Sequence, residues 1–230
     1  MNKNNIKVIA FDADDTLWVN ETYFREAENN FTSLLSAYET KNKIKQELMK
    51  KEIANLPLYG YGIKGFVLSM VECALELSNN RLNGKSINEI LQIGKKMLEK
   101  PVVVLNDVEL VLNNLNKKYK LIVATKGDLL DQEKKLEKSG LLKYFHHIEV
   151  MSEKKENDYI KLLKHIDIQP ENFLMIGNSL KSDILPILNI GGSAIHIPFH
   201  ITWEYEQVNS DNLNENYITL DTIKDLLKLL

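Results

Sequence analysis

The sequence has little cysteine, proline and tryptophan, and it has no long hydrophobic run. Of 230 residues, one is cysteine, five are proline and two are tryptophan. The single Cys73 excludes an intrachain disulfide and a metal site built from several thiolates. Nowhere do the roughly 20 apolar residues of a membrane helix occur in succession. We therefore expect no membrane partner and a reducing compartment, the cytoplasm.

An excess of positive charge is also absent. Lysine and arginine together number 29 against 32 acidic residues, which gives a net charge of -3. Nucleic acid and anionic membranes are bound through clustered lysine and arginine, so neither partner is expected. The hydrophobic content of 44% is typical of a folded globular chain. A length of 230 residues is long for one compact domain and short for two, and so favours one domain with an insertion.

Short apolar runs rich in valine and isoleucine predict buried strands. They cover residues 6–11, 121–124, 147–150, 173–176 and 194–197. Helical periodicity predicts helices between them, over residues 107–119, 129–138, 158–166 and 180–188. Strands that alternate with helices pair in parallel through right-handed crossovers. The predicted fold is therefore α/β, a doubly wound, Rossmann-like parallel sheet with helices on both faces.

The segment between the first and second strands is different. It has about a hundred residues, far more than one crossover needs. Most of it has helical periodicity, over residues 21–38, 41–55, 63–78 and 87–99. A capping box from Ser86 to Glu89 precedes the last of these helices. We predict an inserted all-helical domain over residues 19–100, with residues 1–18 and 101–230 forming the core domain.

Polar residues follow each of the first four predicted strands. In an open parallel sheet, ligands bind at the carboxyl ends of the strands near the topological switch point. The residues at these ends are Asp12, Asp14, Asp15 and Thr16; then Thr125, Lys126 and Gly127; then Ser152, Lys154 and Lys155; then Gly177, Asn178, Ser179 and Asp183. The sequence therefore predicts one site of carboxylates, hydroxyls and lysines at a single sheet edge.

This set of side chains suits phosphoryl transfer through a phosphorylated aspartate. Asp12 is the predicted nucleophile, and Asp14 the predicted acid and base for the leaving alcohol and the attacking water. A hard cation, Mg²⁺, must neutralise the charge, and Asn178 and Asp183 can complete its oxygen ligands. The predicted phosphate-binding residues are Thr125, Lys126 and Lys154.

At these residues the chain resembles the haloacid dehalogenase-like hydrolases, phosphatase type with a helical cap. The run D-x-D-x-T is matched by Asp12, Asp14 and Thr16, and the strand-end hydroxyl by Thr125. The family's lysine is matched by Lys154, with Lys155 as the alternative, and its acidic motif by residues 177–183. The resemblance implies that an Asp12 side-chain oxygen and the Asp14 backbone carbonyl also bind Mg²⁺. It further implies that the helical insertion is a mobile cap.

Two positions depart from the family pattern. Asp15 stands where many members have glycine, and Asn178 where an aspartate is common. An amide oxygen coordinates a metal without contributing charge, so Asn178 implies a lower affinity for the metal. The carboxylate of Asp183 would then contribute more of the binding.

The predicted function is Mg²⁺-dependent hydrolysis of a small phosphorylated metabolite. Three alternatives stay open. A dehalogenase on the same fold is disfavoured by Asp14, because halide leaves without a proton. A response-regulator receiver is disfavoured by the length and by the early position of Asp12. A binding or regulatory protein without turnover is suggested by Asn178. The exact substrate and the oligomeric state are not predicted.

The histidines give no clear signal. His146, His147, His165, His196 and His200 show no metal-ligand spacing. The segment at the end of the fifth strand holds His196, His200, Trp203 and Glu204, and contact of one of these residues with the edge of the site is the less favoured of two interpretations.

Overall fold

A computed structural model describes residues 3–208 and 217–230 and contains a six-stranded parallel sheet. The strands are β1 Val8–Phe11, β2 Lys120–Lys126, β3 His147–Met151, β4 Phe173–Gly177, β5 Ser193–His196 and β6 Ile218–Thr219. Their order is β3-β2-β1-β4-β5-β6, and each neighbouring pair is parallel. The predicted doubly wound sheet is confirmed, and β6 is an additional short strand. The strand order reverses beside β1, which makes the β1–β4 edge the switch point.

Helices occupy the segments between the strands and the segment after β6. They are α1 Glu21–Leu34, α2 Lys41–Tyr59, α3 Ile63–Leu77, α4 Gly84–Glu99, α5 Val108–Leu115, α6 Leu129–Ser139, α7 Glu156–His165, α8 Leu185–Asn189 and α9 Leu226–Leu229. The helix predicted over residues 180–188 is present, but its first part is a π-helical turn, Leu180–Ile184, that runs directly into α8. Pro186 lies in the first turn of α8, a position that tolerates proline because its missing amide hydrogen is not needed there.

The central strands are buried on both faces. In β1, Ile9 and Phe11 pack into one apolar cluster with α5, while Val8 and Ala10 pack into a second cluster with α7 and α8. Successive side chains of a strand point to opposite faces. This two-sided burial is why the strands read as continuous apolar runs rather than as alternating patterns.

The chain divides into two compact units. The first comprises the described residues of Met1–Glu21, Val102–Lys126 and Gln132–Leu230, and the second comprises Thr22–Pro101 with Gly127–Asp131. The second unit has its own apolar core, which includes Phe31, Ile44 and Met70. The assignment of residues 19–100 to a cap domain stays a prediction. Within the described ranges, no helix has both the length and the apolar character needed to cross a membrane.

The start of α4 differs from the prediction. The helix begins at Gly84, and the Asn83 side chain accepts a hydrogen bond of 2.9 Å from the Ser86 amide. The expected capping box from Ser86 to Glu89 is therefore wrong. Asparagine is a strong N-cap residue, and here it caps three residues earlier than the serine.

Candidate active site

Asp12 lies directly after the central strand β1. Its amide donates a hydrogen bond of 2.9 Å to the carbonyl of Ile176 on β4, so the pairing of the two strands continues to this residue. Only 7% of Asp12 is exposed to solvent. The backbone of the sheet therefore holds a buried carboxylate at the switch point.

Lys154 links two buried carboxylates. Its Nζ donates to Asp12 Oδ1 at 2.5 Å and to Asp183 Oδ1 at 2.7 Å. Lys155 is exposed, and its Nζ lies 3.8 Å from Glu153 Oε2. The structure thus brings Lys154, and not Lys155, against Asp12 and Asp183.

Burial and charge act against each other in this cluster. Burial raises the pKa of Asp12, Lys154 lowers it, and Asp183 raises it again, with a net shift above the ordinary value. Burial disfavours the Lys154 ammonium, but the carboxylates of Asp12 and Asp183 outweigh this effect and raise its pKa above the usual range. When both acids are ionised, one ammonium faces two carboxylates, and the cluster keeps an excess of negative charge.

Thr16 connects Asp12 with Asn178. Its hydroxyl lies 3.2 Å from Asp12 Oδ2 and 3.2 Å from Asn178 Oδ1. The predicted strand-end residues of β1 and β4 are therefore neighbours. A ring nitrogen of His196, the last residue of β5, lies 3.1 Å from the Asn178 carbonyl oxygen.

Asp183 is held against the end of β4. Its Oδ2 accepts a hydrogen bond of 3.0 Å from the Ser179 amide. A Cβ placed on Gly177 would lie 2.2 Å from the same oxygen. A side chain at position 177 would therefore displace the Asp183 carboxylate, which explains why glycine stands there.

Three donors surround the Asp14 carboxylate. Trp18 Nε1 donates to Oδ1 at 2.7 Å, Lys135 Nζ donates to Oδ1 at 3.0 Å, and Gln132 Nε2 donates to Oδ2 at 2.8 Å. No sequence motif indicates these donors. Trp18 lies four residues beyond Asp14, but Gln132 and Lys135 are more than a hundred residues away and carry no motif. Together they fix the orientation of the carboxylate.

Asp15 faces the chain's own backbone. Its side-chain oxygens accept hydrogen bonds from the amides of Asn20 and Glu21 at 2.8–3.1 Å. Burial raises the pKa of Asp15 to about 7, although those amides lower it. Its φ of 65° lies in the left-handed region that glycine, asparagine and aspartate tolerate. Aspartate therefore fits the backbone conformation at this position.

The two predicted phosphate-binding residues on β2 differ in setting. Thr125 is buried, and its hydroxyl donates to the carbonyl of Lys126 at 3.3 Å. Lys126 Nζ donates to Glu206 Oε1 at 2.6 Å and to Ser182 Oγ at 2.8 Å. The ammonium of Lys126 is thus paired with a carboxylate that the sequence analysis missed.

Glu206 is that carboxylate, and it organises the turn after β4. Its Oε2 accepts hydrogen bonds of 2.6 Å from the hydroxyls of Ser179 and Ser182. Glu204, two residues earlier, is exposed. Both glutamates belong to a short 3₁₀ helix, Glu204–Glu206. Because such a short turn has no periodic sequence pattern, the sequence does not indicate which of the two glutamates is the more buried one.

The donor set fits Mg²⁺. Asp12 and Asp183 offer carboxylate oxygens, and Asn178 offers an amide oxygen beside Asp12. Hard oxygen donors of this kind are the ones that Mg²⁺ prefers. When Asp12 and Asp183 are both ionised, their excess of negative charge over the Lys154 ammonium favours one more cation.

Comparison with known proteins gives the same family as the motifs. The family described as haloacid dehalogenase-like hydrolase matches residues 6–191. A solved haloacid dehalogenase-like family hydrolase from Xanthomonas campestris is 42% identical, with a TM-score of 0.81, over 86% of this chain and 84% of that one. A 2-haloacid dehalogenase from Pseudomonas syringae has a TM-score of 0.64 at 19% identity, over 97% of both chains, which shows the fold alone.

The match to a curated relative extends over less of this chain. The N-acylneuraminate-9-phosphatase of Mus musculus is 27% identical over 125 residues, which are 52% of this chain and 50% of that protein. The chain spans about half the length of the curated relatives it matches. The extent of the family match and the 42% identical structure decide the classification. This chain belongs to the haloacid dehalogenase-like hydrolases.

Proposed function

We propose that this protein hydrolyses a small phosphate monoester in two steps, with Asp12 as the nucleophile and Mg²⁺ as the cofactor. The observation that carries the proposal is the buried cluster at the end of β1, where Lys154 joins Asp12 to Asp183. A carboxylate at a switch point, next to a fixed ammonium and further oxygen ligands, suits transfer of a phosphoryl group. The substrate is a phosphorylated metabolite of the cytoplasm, the compartment that the single cysteine favours.

In the first step, an Asp12 oxygen attacks phosphorus. The bond between phosphorus and the ester oxygen breaks, and Asp14, which enters this step protonated, gives its proton to the departing oxygen. The products of this step are a free alcohol and an aspartyl phosphate at Asp12. The hydrogen bonds from Trp18, Gln132 and Lys135 keep the Asp14 carboxylate in one orientation for this transfer.

In the second step, water attacks the phosphorus of the aspartyl phosphate. Asp14, now ionised, takes a proton from the water, and the bond between phosphorus and the Asp12 oxygen breaks. Phosphate leaves, and both residues return to their starting states.

The remaining residues hold the phosphoryl group and the cation. Lys154 and Thr125, with Lys126, bind the phosphoryl oxygens on which charge accumulates. Asp12, Asn178 and Asp183, with the backbone carbonyl of Asp14, hold Mg²⁺, which when bound neutralises the repulsion between the phosphate and the carboxylate. We assign residues 1–18 and 101–230 to the core domain, and residues 19–100 to a cap domain that excludes water during the first step.

A dehalogenase is the second candidate within the family. Displacement of halide needs no proton donor, so a fixed second aspartate has no task in that reaction. The three donors on Asp14 therefore favour an ester with an oxygen leaving group. The phosphatase relative supports the same choice. A protein without turnover remains the rival that Asn178 suggests.

The proposal is tested by phosphate release from an aryl phosphate, with and without Mg²⁺. We expect Mg²⁺-dependent release that is lost in Asp12→Asn. Release that persists in Asp12→Asn, or that needs no divalent cation, would contradict the mechanism. Absence of turnover on a broad panel of phosphate esters, with ligand binding retained, would favour the regulatory alternative.

A further inference from the structure

We propose that His147, Glu149 and His165 form a metal site separate from the Asp12 cluster, and that it binds Zn²⁺. One ligand atom from each of the three side chains lies within 4.8 Å of the other two. The proposal does not depend on the phosphatase reaction.

The site joins the start of β3 to the end of α7. His147 and Glu149 are two residues apart on the strand, so their side chains share one face. His147 Nε2 lies 2.8 Å from Glu149 Oε2, and His165 Nδ1 lies 3.8 Å from the same oxygen. The spacing in the sequence does not reveal this group, because α7 must run back along β3 to bring His165 beside the strand.

The ligand chemistry favours a transition metal over Mg²⁺. Two imidazoles and one carboxylate are a known ligand set of zinc sites in which a water completes the tetrahedron. Imidazole suits Zn²⁺ and its neighbours, whereas Mg²⁺ prefers oxygen ligands throughout. Ligand atoms of a tetrahedral zinc ion lie about 3.3 Å apart, given bonds of about 2.0–2.1 Å. Small side-chain rotations therefore bring the three groups into place.

Exposure of the cluster allows an ion to enter and keep a water ligand. The side chains of His147 and Glu149 are 31% and 29% exposed, and that of His165 is 66% exposed. His165 is the last residue of α7, where the negative end of the helix dipole favours a cation. The cluster thus has suitable ligand atoms, an electrostatic environment that favours a cation, and access from solvent.

A bound ion would brace the segment that carries Lys154. The chain passes from His147 along β3 to Lys154, and α7 then returns it to His165. An ion bound to both the start of β3 and the end of α7 would stabilise the folded state, because it binds only when this strand and this helix are packed together. The cluster lies at the opposite end of β3 from Lys154, so stability rather than chemistry is the expected role.

The test measures Zn²⁺ binding by the chelator-treated full chain in millimolar Mg²⁺. Competition with a chromophoric zinc chelator gives the number of equivalents and the affinity. We expect one equivalent that is weakened at least about tenfold in Glu149→Gln and His165→Ala, since even an outer-shell partner of a metal ligand is worth about 10–100-fold. The matched control is His146→Ala, which removes an exposed neighbouring histidine and should bind Zn²⁺ as the wild type does.

Thermal unfolding supplies a second readout. Zn²⁺ should raise the Tm of the wild type and of His146→Ala, and should raise the Tm of His165→Ala less at the same Zn²⁺ concentration. Without Zn²⁺ all three should unfold at similar temperatures, because residue 165 is largely exposed. The proposal is overturned if the wild type binds no equivalent, or if Glu149→Gln and His165→Ala retain the full stoichiometry and affinity.

Discussion

Lys154 Nζ lies 2.5 Å from Asp12 Oδ1, and both side chains are almost wholly shielded from water. Removal of one partner of a buried ion pair leaves the other charge without compensation, which costs about 3–5 kcal/mol. The loss of Lys154 would leave two such charges, because Asp183 shares the same ammonium. Lys154 therefore stabilises the fold as well as the candidate site.

The first prediction compares two adjacent lysines. Lys154→Met should lower the free energy of unfolding by about 3–5 kcal/mol, for the reason just given. Lys155→Met should change it by no more than about 0.5 kcal/mol, since its side chain is exposed. Urea denaturation of both variants measures the difference. Equal stabilities would mean that the buried bridge at Asp12 does not form.

A second prediction concerns Gly177. In Gly177→Ala, the new Cβ would meet Asp183 Oδ2 at 2.2 Å, so the carboxylate must move. We expect a loss of roughly 1–3 kcal/mol in stability, as for overpacked cores. The Mg²⁺ concentration for half-maximal phosphate release should also rise, because Asp183 is a proposed ligand.

Gly84→Ala is the control for that substitution. A Cβ on Gly84 meets nothing within 4 Å, and the residue opens α4. This variant should match the wild type in Mg²⁺ dependence and equal or exceed it in stability. An unchanged Mg²⁺ requirement in Gly177→Ala would argue against Asp183 as a ligand.

Lys135 offers a test of how Asp14 is positioned. Lys135→Met removes one charged donor to the Asp14 carboxylate, and a hydrogen bond to a charged group is worth about 1.5–3 kcal/mol. We expect kcat to fall roughly tenfold or more, with KM little changed, because Lys135 contacts Asp14 and not the phosphate. Steady-state kinetics would check this.

The neighbouring Lys134 provides the matched control for Lys135. It is exposed, so Lys134→Met should keep the wild-type kcat. An effect of Lys135→Met on KM alone would place this residue in substrate binding and would contradict the positioning role.

Glu206 predicts a dependence of stability on pH. Burial works to raise the pKa of Glu206, but Lys126 and two serine hydroxyls outweigh it and hold the pKa below the usual range. A depressed pKa in the folded state adds stability above the unfolded pKa, and this contribution is lost as the pH falls through the folded value. The stability difference between wild type and Glu206→Gln should therefore be roughly 2 kcal/mol at neutral pH. It should shrink below about pH 4.

Denaturation at several pH values measures that difference. Glu204→Gln, in the same 3₁₀ turn, removes an exposed glutamate and should show no such trend. A constant difference between wild type and Glu206→Gln down to acidic pH would mean that Glu206 is not ionised in the folded protein.

Much of the fold could be predicted from the sequence. The central strands of the sheet are covered on both faces, so each appears as an uninterrupted apolar run, as in Phe173–Gly177. The strand Ile218–Thr219 could not be found, because two residues give no pattern. The π-helical form of the turn before α8 could not be predicted either, and the start of α4 depends on one asparagine side chain.

The candidate site was partly predictable, because several of its residues lie next to strands that the sequence predicts. Asp12 and Asn178 directly follow parallel strands, Asp183 lies in the turn after one, and the carboxyl ends of such strands meet at one edge. Gln132 and Glu206 could not be found, because their contacts join residues far apart in the chain through single side chains. Sequence periodicity indicates the face of an element, but it does not indicate the partner of a particular hydrogen bond.

The most direct test of the account is the capture of phosphate on Asp12. Borohydride added during turnover of an aryl phosphate reduces an aspartyl phosphate to homoserine, and peptide mass spectrometry locates the modified position. We predict homoserine at position 12, dependent on substrate and Mg²⁺ and absent in Asp12→Asn. Modification of another carboxylate, or turnover with no modification at position 12, would contradict the claim that Asp12 is the nucleophile.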